Sequence, residues 1–167
     1  NQITSVQLGS VESIGEHAFS GNRLTNVTIP NTVKSIGKYA FHHNQLAKVE
    51  FGNQLETIGE GAFANNSIEV AVLPENIQHV GENAFSHNRL YTVEVHNENT
   101  VFDSEVFSDN QENAKELYIG GYESSTAEDY AAQYEYTFYH LERNQWFTLA
   151  KNNSDATAVI TKYTGNS

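Results

Sequence analysis

The side chains with the strongest claim to chemistry are histidines and a run of carboxylates. His42 and His43 are adjacent, and His87 follows His43 by 44 residues. Imidazole nitrogens hold zinc at about 2.0–2.1 Å, so a shared ion needs its ligands close together. Asp103, Glu105, Asp109 and Glu112 form an acidic stretch, and carboxylates are what calcium takes. Their spacing lacks the D-x-[DN]-x-[DN]-G loop, so a solvated acidic loop is expected. The chain has no G-x-S-x-G, no H-E-x-x-H, no phosphate-binding loop and no dinucleotide fingerprint. It has no cysteine, which removes thiolate metal sites and disulfides. The expectation is a chain that is not an enzyme, has no cofactor and has no metal site.

The elements that carry these residues come from a 22-residue repeat. Glycine recurs at Gly15, Gly37, Gly59 and Gly81, each preceded by Ile14, Ile36, Ile58 or Val80. Ala18-Phe19, Ala40-Phe41, Ala62-Phe63 and Ala84-Phe85 follow, then Asn22, Asn44, Asn66 and Asn88. A fixed period of this size predicts a solenoid, in which each unit buries its apolar face only by stacking on its neighbours. Within Leu24 to Gln45, Val27 and Ile29 have the spacing of one strand face, and Pro30 ends the strand. Val33 and Ile36 are three apart, which suits a bend. Gly37 is expected to supply a turn conformation that a side chain resists. Asn44 is expected to bond backbone groups in the turn.

Stacked coils repeat about every 4.8 Å, so equivalent residues become columns. Phe19, Phe41, Phe63, Phe85 and Phe107 should form a buried spine, and Asn22, Asn44, Asn66, Asn88 and Asn110 a turn ladder rather than a polar binding track. On this spacing His43 and His87 stand about 10 Å apart, too far to share an ion, and read as solvated turn histidines. The array degrades at both ends. The first unit is one residue short, and the fifth has Asp103 for glycine and Val106 for alanine. Ala114, Leu117 and Ile119 read as a sixth strand, offset by two residues. Ser125 to Glu128 is a capping box opening a helix near 126–135, with Ala127, Tyr130, Ala131 and Tyr134 on one face. A short strand over Thr137 to Leu141 completes a lid on the last coil.

These strings resemble the BspA-like leucine-rich repeat family of bacterial surface proteins. The V-x-x-I-G-x-x-A-F-x-x-N-x-L pattern carries the resemblance, and the stretch from Tyr122 to Leu141 resembles the segment that often closes such arrays. The fold class implied is a repeat solenoid: a right-handed, β-rich leucine-rich-repeat array of 22-residue units with a C-terminal helix-strand cap. The resemblance implies an extracellular or bacterial cell-surface protein, secreted or wall-attached, with a role in adhesion to a host or matrix protein or to a glycan.

Residues 1–143 are read as the solenoid with its cap, and 144–167 as a hairpin linker or the start of a following module. In that tail Trp146, Phe147 and Leu149 precede a polar turn, and Ala158, Val159, Ile160 and Tyr163 follow it. No run of 18 apolar residues and no secretory signal is present, so no direct membrane insertion is expected. The chain has no methionine and is read as an excised fragment or processed form. A net charge of −12 argues against nucleic acid and anionic lipid. A monomer is expected.

Two columns should point outward from the strand face. One runs Ser5, Asn26, Lys48, Val70, Thr92, Glu116; the other runs Gln7, Thr28, Glu50, Val72, Glu94, Tyr118. Val70 and Val72 break their polarity, and Tyr91 lies nearby. Two readings stand side by side. The valines are a recognition patch with Glu50, Glu94 and Tyr118 as rim, or the strand slips by one residue around the small Ala71 and turns both inward. Three roles remain open: a recognition and adhesion module, a structural spacer, and an accessory region of a larger extracellular enzyme.

Overall fold

The structure is a computed structural model that describes residues 2–110 and 116–142, with the strand backbone at 149–150 and 159–160. The chain winds as a parallel β-solenoid with two strand faces. Two-residue strands β1 (Ser13–Ile14), β3 (Ser35–Ile36), β5 (Thr57–Ile58), β7 (His79–Val80) and β9 (Val101–Phe102) make one five-stranded sheet. The other face carries β2 (Asn26–Thr28), β4 (Lys48–Glu50), β6 (Val70–Leu73), β8 (Thr92–Val95), β10 (Tyr118–Gly121) and β11 (Thr137–His140). β2 pairs with β4, and β6, β8, β10 and β11 form a separate four-stranded sheet, so this face is interrupted between β4 and β6. Successive strands pair in parallel, with Ser35 beside Thr57 and Val70 beside Thr92, one 22-residue period apart.

Columns of side chains fill the inside. Phe41, Phe63 and Phe85 are fully buried, and rings stack at centroid distances of 5.2 Å (Phe19–Phe41), 5.2 Å (Phe41–Phe63) and 5.3 Å (Phe63–Phe85). Phe19 is only half-buried, contrary to the expectation of a spine buried throughout, because no described coil covers it on its N-terminal side.

The asparagines form the expected turn ladder. Asn88 Nδ2 donates to the carbonyls of Phe63 (2.9 Å), Phe85 (3.1 Å) and Ser86 (3.2 Å), while its Oδ1 accepts from the Ile68 amide (3.0 Å). Asn44, Asn66 and Asn110 repeat this pattern. One amide thus ties two successive coils through backbone groups that the coil geometry leaves unpaired.

The glycine column works differently from the expectation. Gly37 does not hold a left-handed turn. A Cβ there would lie 2.7 Å from the Glu16 backbone nitrogen, and Gly59 and Gly81 are equally close to the preceding coil. Glycine is required because adjacent backbones pack against each other. The left-handed residue comes two positions later, at His17, Tyr39, Gly61, Asn83 and Glu105, with φ between 54° and 58°. Where Asp103 and Val106 replace glycine and alanine, the stack widens. The amide of Asn83 reaches the Ser104 carbonyl at 3.4 Å, against 2.8 Å for Tyr39 to Glu60, and Phe85 and Phe107 are 5.9 Å apart.

Helix α1 (Thr126–Gln133) closes the last coil. Ser125 caps it, accepting from the Glu128 amide, while the Glu128 carboxylate accepts from the Ser124 amide, one residue earlier than the box predicts. The cap replaces the absent next coil group by group. The Glu105 amide donates to the Tyr134 hydroxyl (3.2 Å), where other coils use a carbonyl. The Tyr136 hydroxyl donates to the Phe107 carbonyl (3.3 Å), where other coils use a ladder asparagine. Ala127, Tyr130 and Ala131 are buried as the helical face requires, and Tyr130 packs on Phe102 and Phe107.

β10 is shifted further than its sequence offset suggests. Tyr118 stands beside Thr92, a separation of 26 residues, so Tyr118 joins the first outward column and Gly120 stands beside Glu94. Shifting by two keeps Leu117 and Ile119 inward in either register, so side-chain alternation cannot choose between them. Ala114 and Glu112 lie outside the described residues. In the tail, β12 (Leu149–Ala150) pairs antiparallel with β13 (Val159–Ile160); Trp146, Phe147, Ala158 and Tyr163 lie outside the described residues.

Candidate functional site

The register of β6 separates the two readings of its valines. Ala71 and Leu73 are buried at 1% and 0% exposure, while Val72 is 45% exposed and Val70 half-buried. Ala71 stands beside Val93 and Leu73 beside Val95, both core residues, so the strand does not slip. A one-residue shift would lift Leu73 out of the core, and that cost holds the register.

The outward rows of the four-stranded sheet can then be read across. One row is Val70, Thr92, Tyr118 and Thr137, of which Thr92 is buried at 4% exposure, contrary to the expected exposed column; the other is Val72, Glu94, Gly120 and Tyr139. Tyr139 reaches back over β10, and its hydroxyl donates to Glu94 Oε1 (3.3 Å). The ring lies where a Cβ on Gly120 would stand, so that glycine makes room for it. Burial, followed by the Glu94 charge, pushes the Tyr139 phenol well above its ordinary pKa. Glu94 Oε2 also faces His96 Nε2 at 3.3 Å, and the His96 ring meets Tyr122 edge-on. Glu116 accepts from the Tyr118 hydroxyl (3.2 Å) and from the Thr137 hydroxyl. The result is a tyrosine-rich surface with one fixed carboxylate, Glu94, beside exposed Val72 and a second, Glu116, two residues before Tyr118.

Val70, Val72, Glu94 and Tyr118 therefore share one sheet. Glu50 does not join them, because β4 lies across the interruption and its carboxylate is taken by Lys48 (2.6 Å) and Thr28 (3.1 Å). Tyr91 precedes β8 and is half-buried. Sequence reasoning missed Tyr139, His96 and Tyr122. Tyr139 is two strands away from Glu94 in space and 45 residues away in the chain.

The acids lining the other strand face have partners of their own. On the two-residue strands a cavity of about 340 Å³ is lined by Lys38, Thr57, Gly59, Glu60, His79, Glu82 and Asp103, among others. Glu60 is paired with Lys38 (2.9 Å) and Tyr39, Asp103 with His79 (3.0 Å), and Glu82 accepts from Ser104. Of the expected acidic loop, Glu105 and Asp109 are exposed at left-handed positions. Among the described residues no group of three or more His, Cys, Asp or Glu side chains is arranged to hold a metal ion.

His43 and His87 hold left-handed turn positions, and both are exposed. His42 is different. Burial, then neighbouring His43 and His17, hold its imidazole below the ordinary 6.5. Asn65 Nδ2 faces its Nε2 at 3.3 Å. The fold favours neutral His42, so the unfolded chain binds that proton more readily. Its contribution to stability is present above pH about 6.5 and is lost as pH falls below that range. Proton NMR of the ring should give a His42 midpoint below 6.5; a midpoint above it would contradict this environment.

The family described as BspA type leucine rich repeat region matches residues 1–114 in six copies. Among solved structures, a leucine-rich repeat protein from Eubacterium ventriosum aligns over 70% of this chain and 31% of its own, with TM-score 0.62 and 19% identity. The pneumococcal vaccine antigen PcpA aligns over 69% of this chain and 38% of its own, with TM-score 0.51 and 26% identity. The chain thus spans about a third of the length of these structures. No match was found among curated proteins. Among the described residues no helix is long and apolar enough to cross a membrane.

Proposed function

Because the chain belongs to the BspA-type leucine-rich-repeat family, we propose that it is a recognition and adhesion module, extracellular or on a bacterial cell surface. It binds a protein or glycan partner through the outward face of β6, β8, β10 and β11, and it carries out no chemistry of its own. The carrying observation is Val72, 45% exposed in a strand whose register is fixed by buried Ala71 and Leu73. Val11 and Val101 are exposed as well, but Val72 stands in a sheet with Tyr118 and Tyr139, and interfaces are enriched in aromatic anchors. The likeness to a vaccine antigen supports a surface location. The net charge of −12 disfavours nucleic acid as partner. Residues 144–167 serve as a linker or the start of a further module.

The double change Val70→Ser with Val72→Ser tests the reading. Both side chains face outward, so stability should fall by only about 1 kcal/mol. Capture of partners from a panel of extracellular-matrix proteins and glycans should be lost. Retained capture would place recognition elsewhere on the molecule.

A further inference from the structure

The charge on this face identifies the kind of partner. β6, β8, β10 and β11 contain no lysine or arginine. Two acids elsewhere in the array meet a lysine one coil or two positions away, Lys38 with Glu60 and Lys48 with Glu50. Here, among the described residues, Glu94 has an imidazole and a phenol as neighbours, and Glu116 has a phenol and an alcohol. Hydroxyl donors orient a carboxylate without cancelling its charge. The rings of Tyr118, Tyr122 and Tyr139 stand around the two acids, each partly exposed. An aromatic face attracts a cation within about 6 Å, and a fixed carboxylate beside it supplies the counter-charge. Val72 adds an apolar contact next to Glu94, its register neighbour on β8 being that glutamate.

We propose that the partner recognised by this face is a basic segment of a protein, whose lysine or arginine side chains lie over the tyrosines and reach Glu94 and Glu116, with an apolar residue on Val72. This rests on the recognition reading above and narrows it from protein or glycan to a cationic protein segment. The association should weaken as salt is added, because partly exposed charges are screened.

The test separates this site from the general attraction of an acidic protein. The probe is a fluorescein-labelled ten-residue peptide of alternating lysine and serine, read by anisotropy at low salt. Two variants of the 167-residue chain each remove two carboxylates, taking the formal charge from −12 to −12 + 2 = −10. Glu94→Gln with Glu116→Gln changes the proposed site and keeps acceptors for the tyrosine hydroxyls. Glu16→Gln with Glu82→Gln changes exposed acids away from this sheet. The first pair should weaken binding about tenfold and the second less than about threefold, with both melting temperatures near that of the parent. Equal losses in the two pairs, or no binding by the parent, would overturn the proposal. Should Val70→Ser with Val72→Ser still abolish capture from the wider panel, the recognition reading survives that outcome and the cationic partner alone falls.

Discussion

Phe63→Ala is expected to destabilise the protein by about 3–5 kcal/mol, the range for emptying a buried aromatic position. Phe63 has no exposed surface and is stacked on both sides, 5.2 Å from Phe41 and 5.3 Å from Phe85. Phe51 adds an edge contact at 5.5 Å. Neighbouring coils are joined to each other by backbone bonds such as Phe41 to Ala62 and Phe63 to Ala84, both 2.8 Å, so the site has little freedom to collapse. Phe19→Ala is the internal comparison. Its ring stacks on one neighbour and is half-exposed, so it should cost roughly half as much. Urea denaturation of the two variants decides the point. Equal losses would mean that the phenylalanines do not form a continuous spine.

The second large effect is expected at Asn88→Ala. The side chain is 4% exposed and makes four bonds to backbone groups, spanning Ile68, Phe63, Phe85 and Ser86. Removing it orphans the Ile68 amide inside the stack, while the Phe63 carbonyl keeps Asn66 Nδ2 at 3.0 Å. An orphaned buried donor costs about 1–3 kcal/mol and each further bond lost about 0.5–1.5 kcal/mol, so a loss of about 3 kcal/mol follows. Asn88→Asp keeps the acceptor for Ile68 but loses the donor and buries a charge among carbonyl oxygens. It should be at least as damaging at neutral pH and milder in acid, where the carboxyl can donate. A neutral response to Asn88→Ala would show that the ladder is not structural.

Much of this fold is legible because a stacked repeat turns spacing into position. The column of Phe41, Phe63 and Phe85, the asparagine ladder and the helix over Thr126–Gln133 follow from residue type and period alone. Gly37 departs from the expectation because glycine answers two needs, a left-handed φ and the absence of a Cβ, which residue type alone does not tell apart. Here the neighbouring coil 2.7 Å away is the reason. The 26-residue step to β10 escaped because alternation has period two, and Leu117 and Ile119 satisfy it in either register. That step moved Tyr118 from beside Glu94 to beside Thr92. The outward direction of Val72 needed the burial of Ala71 and Leu73 to settle it, since a small residue between two valines fits either face.

The tyrosines of the cap and of the candidate site were the least legible. Tyr134 and Tyr136 serve backbone groups 29 residues earlier, outside the repeat period. Tyr139 is placed by the pairing of β11 with β10 and by the missing side chain of Gly120. Nothing in the residue type alone points it at Glu94. By contrast, the pairs Lys38–Glu60 and Thr28–Glu50 join residues one period apart.

Methyl NMR of valine-labelled protein tests the recognition face most directly. Three exposed valines report on three parts of the surface: Val72 on the long-strand face, Val101 on the short-strand face and Val11 near the first coil, at 45%, 56% and 40% exposure. Titration with a partner captured from the matrix and glycan panel should shift the Val70 and Val72 methyl signals and leave Val101 and Val11 in place. Shifts at Val101 or Val11 with Val72 unmoved would contradict recognition through the face of β6, β8, β10 and β11.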